Sequence, residues 1–290
     1  MARYCRTVPR SLASLLVPLA LVACGESSQG TSPANAPSTA ELAGAVGAAI
    51  QKADSAHYVV DFRAEMEGET ISPLTLHAEG DASPTAFTAE GRAGFGGASF
   101  TGKLLVGEHE FFLNFMDAWY GSSEFGLAEA KKEAETGEKP EARLWRDLQS
   151  PEWIRDHFDE VFTGELSEGP ELDGVSTWQF DGRLNPDGVA ALAEQYGAEP
   201  PTDKEREALD KIAEALHVRV AVGRDDRLPR SIDLTLHLSA DDVRGLEDEL
   251  DSEGELDVQL HLELSDYGKD VSFEAPENFK PFEELFSGFE

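Results

Sequence analysis

Hydrophobic residues recur with a period of two through much of this chain, which predicts strands with one dry and one wet face. Tyr58, Val60, Phe62, Ala64 and Met66 alternate with His57, Asp61, Arg63 and Glu65. The alternation resumes at Leu74, Leu76 and Ala78, at Phe87, Ala89, Gly91, Ala93 and Phe95, and at Phe100, Gly102, Leu104 and Val106. Glycines at 94, 96, 97 and 107 punctuate it as turns. A fifth strand spans Glu110 to Met116, just ahead of Trp119 and Tyr120. This half of the chain reads as an antiparallel meander.

Elsewhere the period lengthens to that of a helix. Thr39 is placed to cap a helix reaching about Ala53, with Leu42, Val46, Ala49, Ile50 and Ala53 on one face. Ser150 and Pro151 form an N-cap and first-turn pair ahead of Ile154, Phe158, Val161 and Phe162. The charged, Ala-rich stretch from Gly126 to Glu141 predicts an exposed helix or loop. A strand bearing Trp178, Phe180 and Leu184 follows, then a short helix opened by Asn185-Pro186 with Val189, Leu192 and Tyr196 inward. Thr202 and Glu205 make a capping box for another helix, with Leu209, Ile212 and Leu216 on its apolar face. The last third returns to strands at Val218 to Val222, Ile232 to Leu238 and Leu256 to Leu264. Asp225-Asp226 marks a hairpin there, and an acidic segment from Ser239 to Glu255 links the last two strands. Each strand has one clean apolar face, unlike strands of a parallel sheet buried on both sides. The expected fold class is α+β: a single curved antiparallel sheet with helices covering its apolar face.

The N-terminus adds an address. Arg3, Arg6 and Arg10 precede an apolar run from Leu12 to Val22, too short to span a membrane as a mature helix. Leu21-Val22-Ala23-Cys24 closes it and resembles the bacterial lipobox, which implies cleavage before Cys24 and a diacylglyceryl group on its sulfur. Gly25 to Ser38, rich in Ser, Gly, Pro, Ala and Asn, suits a flexible stalk. Cys5, the other cysteine, lies in the part removed, so the mature chain forms no internal disulfide. The expected organisation is a signal peptide at 1–23, a stalk at 24–38 and one domain at 39–290. The chain would be exported and held to the outer face of the cell membrane by its lipid.

Charge narrows the partners. The chain carries 24 basic and 57 acidic residues, a net charge of −33. Without the three leader arginines, 21 basic residues remain against 57 acidic, and the net becomes −36. Such a surface repels nucleic acid and anionic headgroups. Lysines number nine, a pattern that fits either salty surroundings or plain solubility of a secreted domain.

Two local phrases bring a family into view: Val220-Ala221-Val222-Gly223-Arg224-Asp225-Asp226-Arg227-Leu228-Pro229-Arg230, and Leu264-Ser265-Asp266-Tyr267-Gly268-Lys269-Asp270-Val271 leading to Ala275-Pro276. With the lipobox, stalk, first helix, meander, helical middle and closing strands, the chain resembles the actinobacterial LppX/LprAFG lipoproteins and, more distantly, the LolA/LolB carriers. The likeness covers nearly the whole mature layout, though the segment from Gly126 to Arg146 departs from it. The resemblance implies a half-barrel around a hydrophobic cavity that holds acyl chains of an envelope lipid or lipoprotein, and a possible envelope transport partner. Small dry-face residues give this independent support, because Ala64, Ala78, Gly80, Ala89, Gly91, Ala93, Gly102 and Gly182 stand among bulky ones and leave volume to fill. The candidate cavity set is Phe62, Ala64, Leu76, Phe87, Ala89, Gly91, Ala93, Phe100, Gly102, Leu104 and Phe180. Covering helices that approach closely would fill the same volume instead.

Catalytic signals are weak. His77, His109, His217, His237 and His261 sit opposite the apolar face and are expected on the solvent side, with His237 and His261 a minor candidate for a cross-strand metal pair. The glycines from 91 to 97 are not a dinucleotide fingerprint, because no helix follows them. No serine lies in a nucleophile elbow, and no carboxylate pair stands out for glycoside hydrolysis. The acidic link, from Asp241 through Glu255, lacks calcium-loop spacing. The chain is thus expected to be a non-enzymatic lipoprotein with no cofactor that binds or shuttles an amphiphile. An interaction lipoprotein with a filled core and an envelope glycan hydrolase are the alternatives.

Overall fold

The computed structural model describes residues 36–67, 73–123, 126–128, 147, 150–246 and 254–285. The leader, Cys24, most of the stalk and most of the charged middle lie outside these. Helix α1 (Thr39–Ala53) leads into strands β1 (Ala56–Met66), β2 (Leu74–Ala82), β3 (Phe87–Phe95), β4 (Ala98–Val106), β5 (Phe111–Phe115) and β6 (Ala118–Ser122). Then come α2 (Pro151–Val161), β7 (Phe162–Leu172), β8 (Val175–Leu184), α3 (Pro186–Gln195) and α4 (Asp203–Ala215). The chain closes with β9 (Leu216–Gly223), β10 (Pro229–Leu238), α5 (Ala240–Leu246), β11 (Leu256–Ser265), β12 (Lys280–Pro281) and a 3₁₀ turn at Phe282–Leu285.

All the strands belong to one open sheet in the order β12-β6-β5-β4-β3-β2-β1-β11-β10-β9-β8-β7. Every pairing is antiparallel except the short parallel contact of β12 with β6. The fold is α+β with a single curved sheet, as the alternation predicts. The step that closes the topology is β11 returning beside β1, which brings Phe62 opposite Leu260 from nearly two hundred residues away.

Local signals explain the helix ends, with one correction. Ser38 caps α1 instead of Thr39: the Glu41 amide donates to Ser38 Oγ at 3.3 Å, and the Ser38 amide donates to Glu41 Oε2 at 2.9 Å. The Ser38 amide, and then the Ser38 hydroxyl, donate to the Glu41 carboxylate and hold its pKa below the usual range. Thr39 is buried, and its hydroxyl donates to Asp159 Oδ1 of α2 at 3.4 Å. The Thr202–Glu205 box forms as its spacing predicts, and Ser150 Oγ accepts from the Trp153 amide at 3.2 Å.

Three elements escape the pattern. The fifth strand is Phe111–Phe115, and β6 follows it across a two-residue turn in which Met116 and Asp117 take φ of 51° and 62°. Such a turn matches the twist of a hairpin. Strand β7 occupies a glutamate-rich stretch, and its register against β8 shifts between Glu168 and Glu171, around Pro170. Within the acidic link, Ala240–Leu246 forms α5, capped by Ser239 Oγ accepting from the Asp242 amide at 3.3 Å.

The core lies over one half of the sheet. Leu42 and Val46 of α1, Ile154 and Phe158 of α2, Val189 and Leu192 of α3, and Leu209 of α4 pack on Trp178, Phe180, Val218, Val220, Val222 and Ile232. Phe158 stacks on Phe162 at 5.1 Å and meets Phe180 edge-on at 6.0 Å. No residue of β1 to β6 belongs to this cluster.

Candidate functional site

Cross-strand register turns the alternation into two continuous rows. On the dry face, Gly182, Val218, Leu234, Leu260, Phe62, Leu76, Ala93 and Phe100 are neighbours from β8 to β4. On the opposite face and one residue away run Asp181, Arg219, Asp233, His261, Asp61, His77 and Arg92. Each face keeps its character through seven strands or more.

The dry row passes from a covered region to an open one. Over β8, the space left by Gly164 and Gly182 is occupied by the Phe180 ring, which would lie 2.3 and 2.1 Å from side-chain carbons placed there. Phe180 is fully buried, so this member of the candidate cavity set is a core residue, seated by α2 above and two glycines below. Beyond β11 the described helices stop. Among the described residues, no helix packs substantially on β1 to β6. There Leu74, Leu76 and Phe95 are 45%, 40% and 46% exposed. Phe62, Ala64, Ala89, Gly91, Ala93, Gly102 and Leu104 line up half-buried between them.

Aromatic pairs border this open face. Phe95, Phe100 and Phe115 stack in series with centroids 5.8 and 5.9 Å apart. At the other end of the same strands Tyr58 stacks on Phe87 at 5.4 Å, and Phe111 meets Phe282 of the 3₁₀ turn at 5.0 Å. The Tyr58 hydroxyl donates to the Thr88 carbonyl at 2.7 Å. Burial, and then the nearby Asp81 carboxylate, raises its pKa, so it stays a donor at any ordinary pH.

A depression of about 680 Å³ crosses β10, β11, β1, β2, β3 and β4 near the hairpin between the last two. Its lining mixes the two rows: Phe62 and Leu76 of the candidate set, with Phe95, Leu234 and Leu260, come from the dry row, and Asp61, Arg63, Thr75, His77, Arg92, Asp233, Thr235, Gln259 and His261 come from the wet one. The remaining candidates do not line it, and Phe180 lies in the packed half over β8. Leu234 and Leu260 are absent from the candidate set because their place opposite Phe62 depends on the long-range return of β11.

The small residues have a second use. A side chain at Gly80 would meet the Thr88 carbonyl oxygen at 1.9 Å, and one at Gly91 the His77 carbonyl oxygen at 2.3 Å. These glycines are required for the close approach of β2 and β3, and the volume beside them is already taken by backbone.

On the wet face four histidines share hydrogen bonds with carboxylates across strands. His57 meets Asp81 at 3.0 Å, His77 meets Asp61 at 2.8 Å, His237 meets Asp257 at 2.8 Å, and His261 lies between Asp233 at 2.6 Å and Glu263 at 3.1 Å. His237 and His261 thus have separate partners and do not face one another. The Asp257 hydrogen bond raises the His237 pKa above its ordinary 6.5. Partial burial alone would lower that of His261, but the Glu263 and Asp233 hydrogen bonds outweigh it and the net shift is upward. Among the described residues, no three His, Cys, Asp or Glu side chains are grouped to hold a metal. Nor is any described helix long and apolar enough to cross a membrane.

No family model matches the chain, and no curated protein matches it in sequence. Among solved structures it is similar to the lipoprotein LppX of Mycobacterium tuberculosis, at 15% identity over 81% of this chain and 98% of that one, with a TM-score of 0.40. It is similar also to LprF of Mycobacterium bovis, at 13% identity over 83% and 99%, with a TM-score of 0.43. A LolA superfamily protein of Nitrosomonas europaea matches at 12% identity over 78% and 94%, with a TM-score of 0.20. These are the proteins that the sequence resemblance named.

Proposed function

We propose that this chain is an exported, membrane-anchored carrier whose open half-sheet holds the acyl part of an amphiphile. One observation carries the reading: Leu74, Leu76 and Phe95 stand exposed on an apolar face that no described helix covers, while the same face over β8 and β9 is fully packed. A domain whose described helices leave such a surface uncovered does so at a cost of about 25 cal/mol per Å². A bound acyl chain would remove that cost, and exposed apolar patches of this kind mark binding surfaces. Anchoring through Cys24 and the stalk would keep the carrier beside its source of lipid. The binding residues proposed are Phe62, Ala64, Leu76, Phe87, Ala89, Ala93, Phe100 and Leu104, with Leu234 and Leu260 added. No step of this function needs a cofactor, and none of the residues named has a chemical role.

Organic extraction of purified protein followed by mass spectrometry tests the proposal. An acylated compound in stoichiometric amount is the expected result. Protein that yields none, and that fails to enhance emission of a fluorescent fatty-acyl probe, would overturn it and favour an interaction domain with a filled core.

A further inference from the structure

We infer that the β3–β4 and β5–β6 hairpin tips form a docking surface for a lipid bilayer. The surface adjoins the acyl-binding face, with Phe95 and Phe100 on the border of both and Met116 outside it, and it goes beyond the carrier reading because it concerns how the domain meets a membrane. Its starting point is where charge is missing. From Gly94 to Gly102 there is no charged residue, and from Phe111 to Ser122 Asp117 is the single one, in a chain of net charge −33. Both stretches turn at the same end of the sheet, since Gly102 of β4 pairs with Phe115 of β5 and Phe95 with Ala98.

Exposure points the same way. Met116 is 67% exposed and Phe95 46%, joined through the stacked Phe100 and Phe115 rings. A long apolar side chain set outward at a hairpin turn gains nothing from water, but it gains on entering the boundary between headgroups and acyl chains. Around the same end, Glu65, Glu67, Glu255 and Asp257 occupy β1, β11 and their flanks, so the neutral sector is confined to the two tips. The domain would tilt those tips inward, carrying Asp117 at the β5–β6 turn to the headgroup level and keeping the acids of β1 and β11 in water. A neutral or zwitterionic surface therefore fits, and a strongly anionic one does not.

The position of the N-terminus is a second, independent observation. The row Leu216, Leu236, Val258, Ala64 and Leu74 lies toward this end of the sheet, and Phe162 pairs with Leu184 two residues beyond Gly182 on the same side. Thr39 bonds Asp159, three residues before Phe162, so the chain joins the domain at the end where the tips are. A lipid on Cys24 would draw that end, and not the opposite one, toward the bilayer.

Site-specific labels test this. The mature chain has no free thiol once Cys24 is acylated, so Met116→Cys or Phe95→Cys takes a single environment-sensitive fluorophore. In vesicles of phosphatidylcholine the label at either site should brighten several-fold and be quenched by a lipid carrying a nitroxide on its acyl chain. The same label at Ile50→Cys, an exposed apolar residue in the last turn of α1 at the opposite end of the sheet, should stay water-like. Met116→Asp should reduce insertion of the Phe95 label about tenfold, the order expected for losing one buried apolar side chain to a charge. An unchanged melting temperature will show that the variant is folded. Labels that stay water-like at both tips would overturn the inference, as would protection that appears only when protein is crowded on the vesicle, which signals contact between copies. Acyl-probe binding without insertion would leave the carrier standing alone, and insertion without acyl binding would leave only the docking surface.

Discussion

Strands β8 and β3 carry the same kind of apolar row and end in opposite conditions. Phe180 of β8 is closed in by α2 and two glycines, whereas Phe95 of β3 has water on one side and a stack of rings on the other. Neither strand's own sequence decides this. The difference lies in which strands the helices return to, since α4 packs on β8, β9 and β10 while β1 to β6 receive no substantial helix contact among the described residues. A packed half can then act as a rigid frame for one that the described helices leave uncovered, which is the division the proposed carrier needs.

The sharpest way to break that comparison is to truncate matched side chains. Phe180→Ala should lower stability by about 3 to 5 kcal/mol in urea denaturation, because it empties a filled core. Leu76→Ala should lower it by about 1 kcal/mol or less, since much of the side chain is already wet. Equal losses would mean that something covers the open half in solution.

Enlarging small residues asks the converse. Ala93→Leu should reduce fatty-acyl probe binding while leaving the denaturation midpoint nearly unchanged, and Gly182→Ala should cost about 1 to 3 kcal/mol because the Phe180 ring has nowhere to move. A large loss of stability from Ala93→Leu would place β3 in a filled core after all.

Smaller effects belong to the wet face. The folded protein holds the protons of His237 and His261 more tightly than an unfolded chain would. That stability is present in full below the ordinary imidazole value of 6.5 and is lost as pH rises through the raised folded values. The melting temperature should accordingly fall between about pH 6 and pH 8, and His237→Gln with His261→Gln should flatten the profile. Added salt should have the mildest influence. With a net charge of −33 spread over the surface, shortening the Debye length from about 10 Å at 0.1 M to about 3 Å at 1 M should raise the melting temperature slightly. A fall would show that ladders such as Asp181–Arg219–Asp233 outweigh the general repulsion.

The dry face was legible as period-two alternation in β1 to β4 and in β8 to β11, because each of those strands places bulky apolar residues on one side only. Strand β7 was not, since its first residue, Phe162, continues the apolar stripe of α2, and inward-facing Gly164 gives up its place to the Phe180 ring, leaving Leu166 and Leu172 as the further apolar signals. Strand β6 is five residues long, too short for a period to show. For the candidate site, Phe62 and Leu76 follow from alternation alone, while Leu234 and Leu260 require the β1–β11 pairing that no local pattern encodes. Phe180 carries the same local signal as Phe62, and the amphipathic face of α2 does not reveal which strand it will meet.

Strand β7 also has a bearing on how this protein behaves when concentrated. An unclosed sheet ends in unpaired backbone donors and acceptors, which invite a neighbouring copy to extend it into a fibre. One margin, β12, is two residues long and offers little to extend. The other, β7, is eleven residues long, but Pro170 removes a donor, the register shift bends the strand, and Glu165, Glu168 and Glu171 set like charges along it. A second copy approaching edge to edge would bring those carboxylates against their own kind. The open half can thus remain available to a ligand without the sheet becoming a template for aggregation.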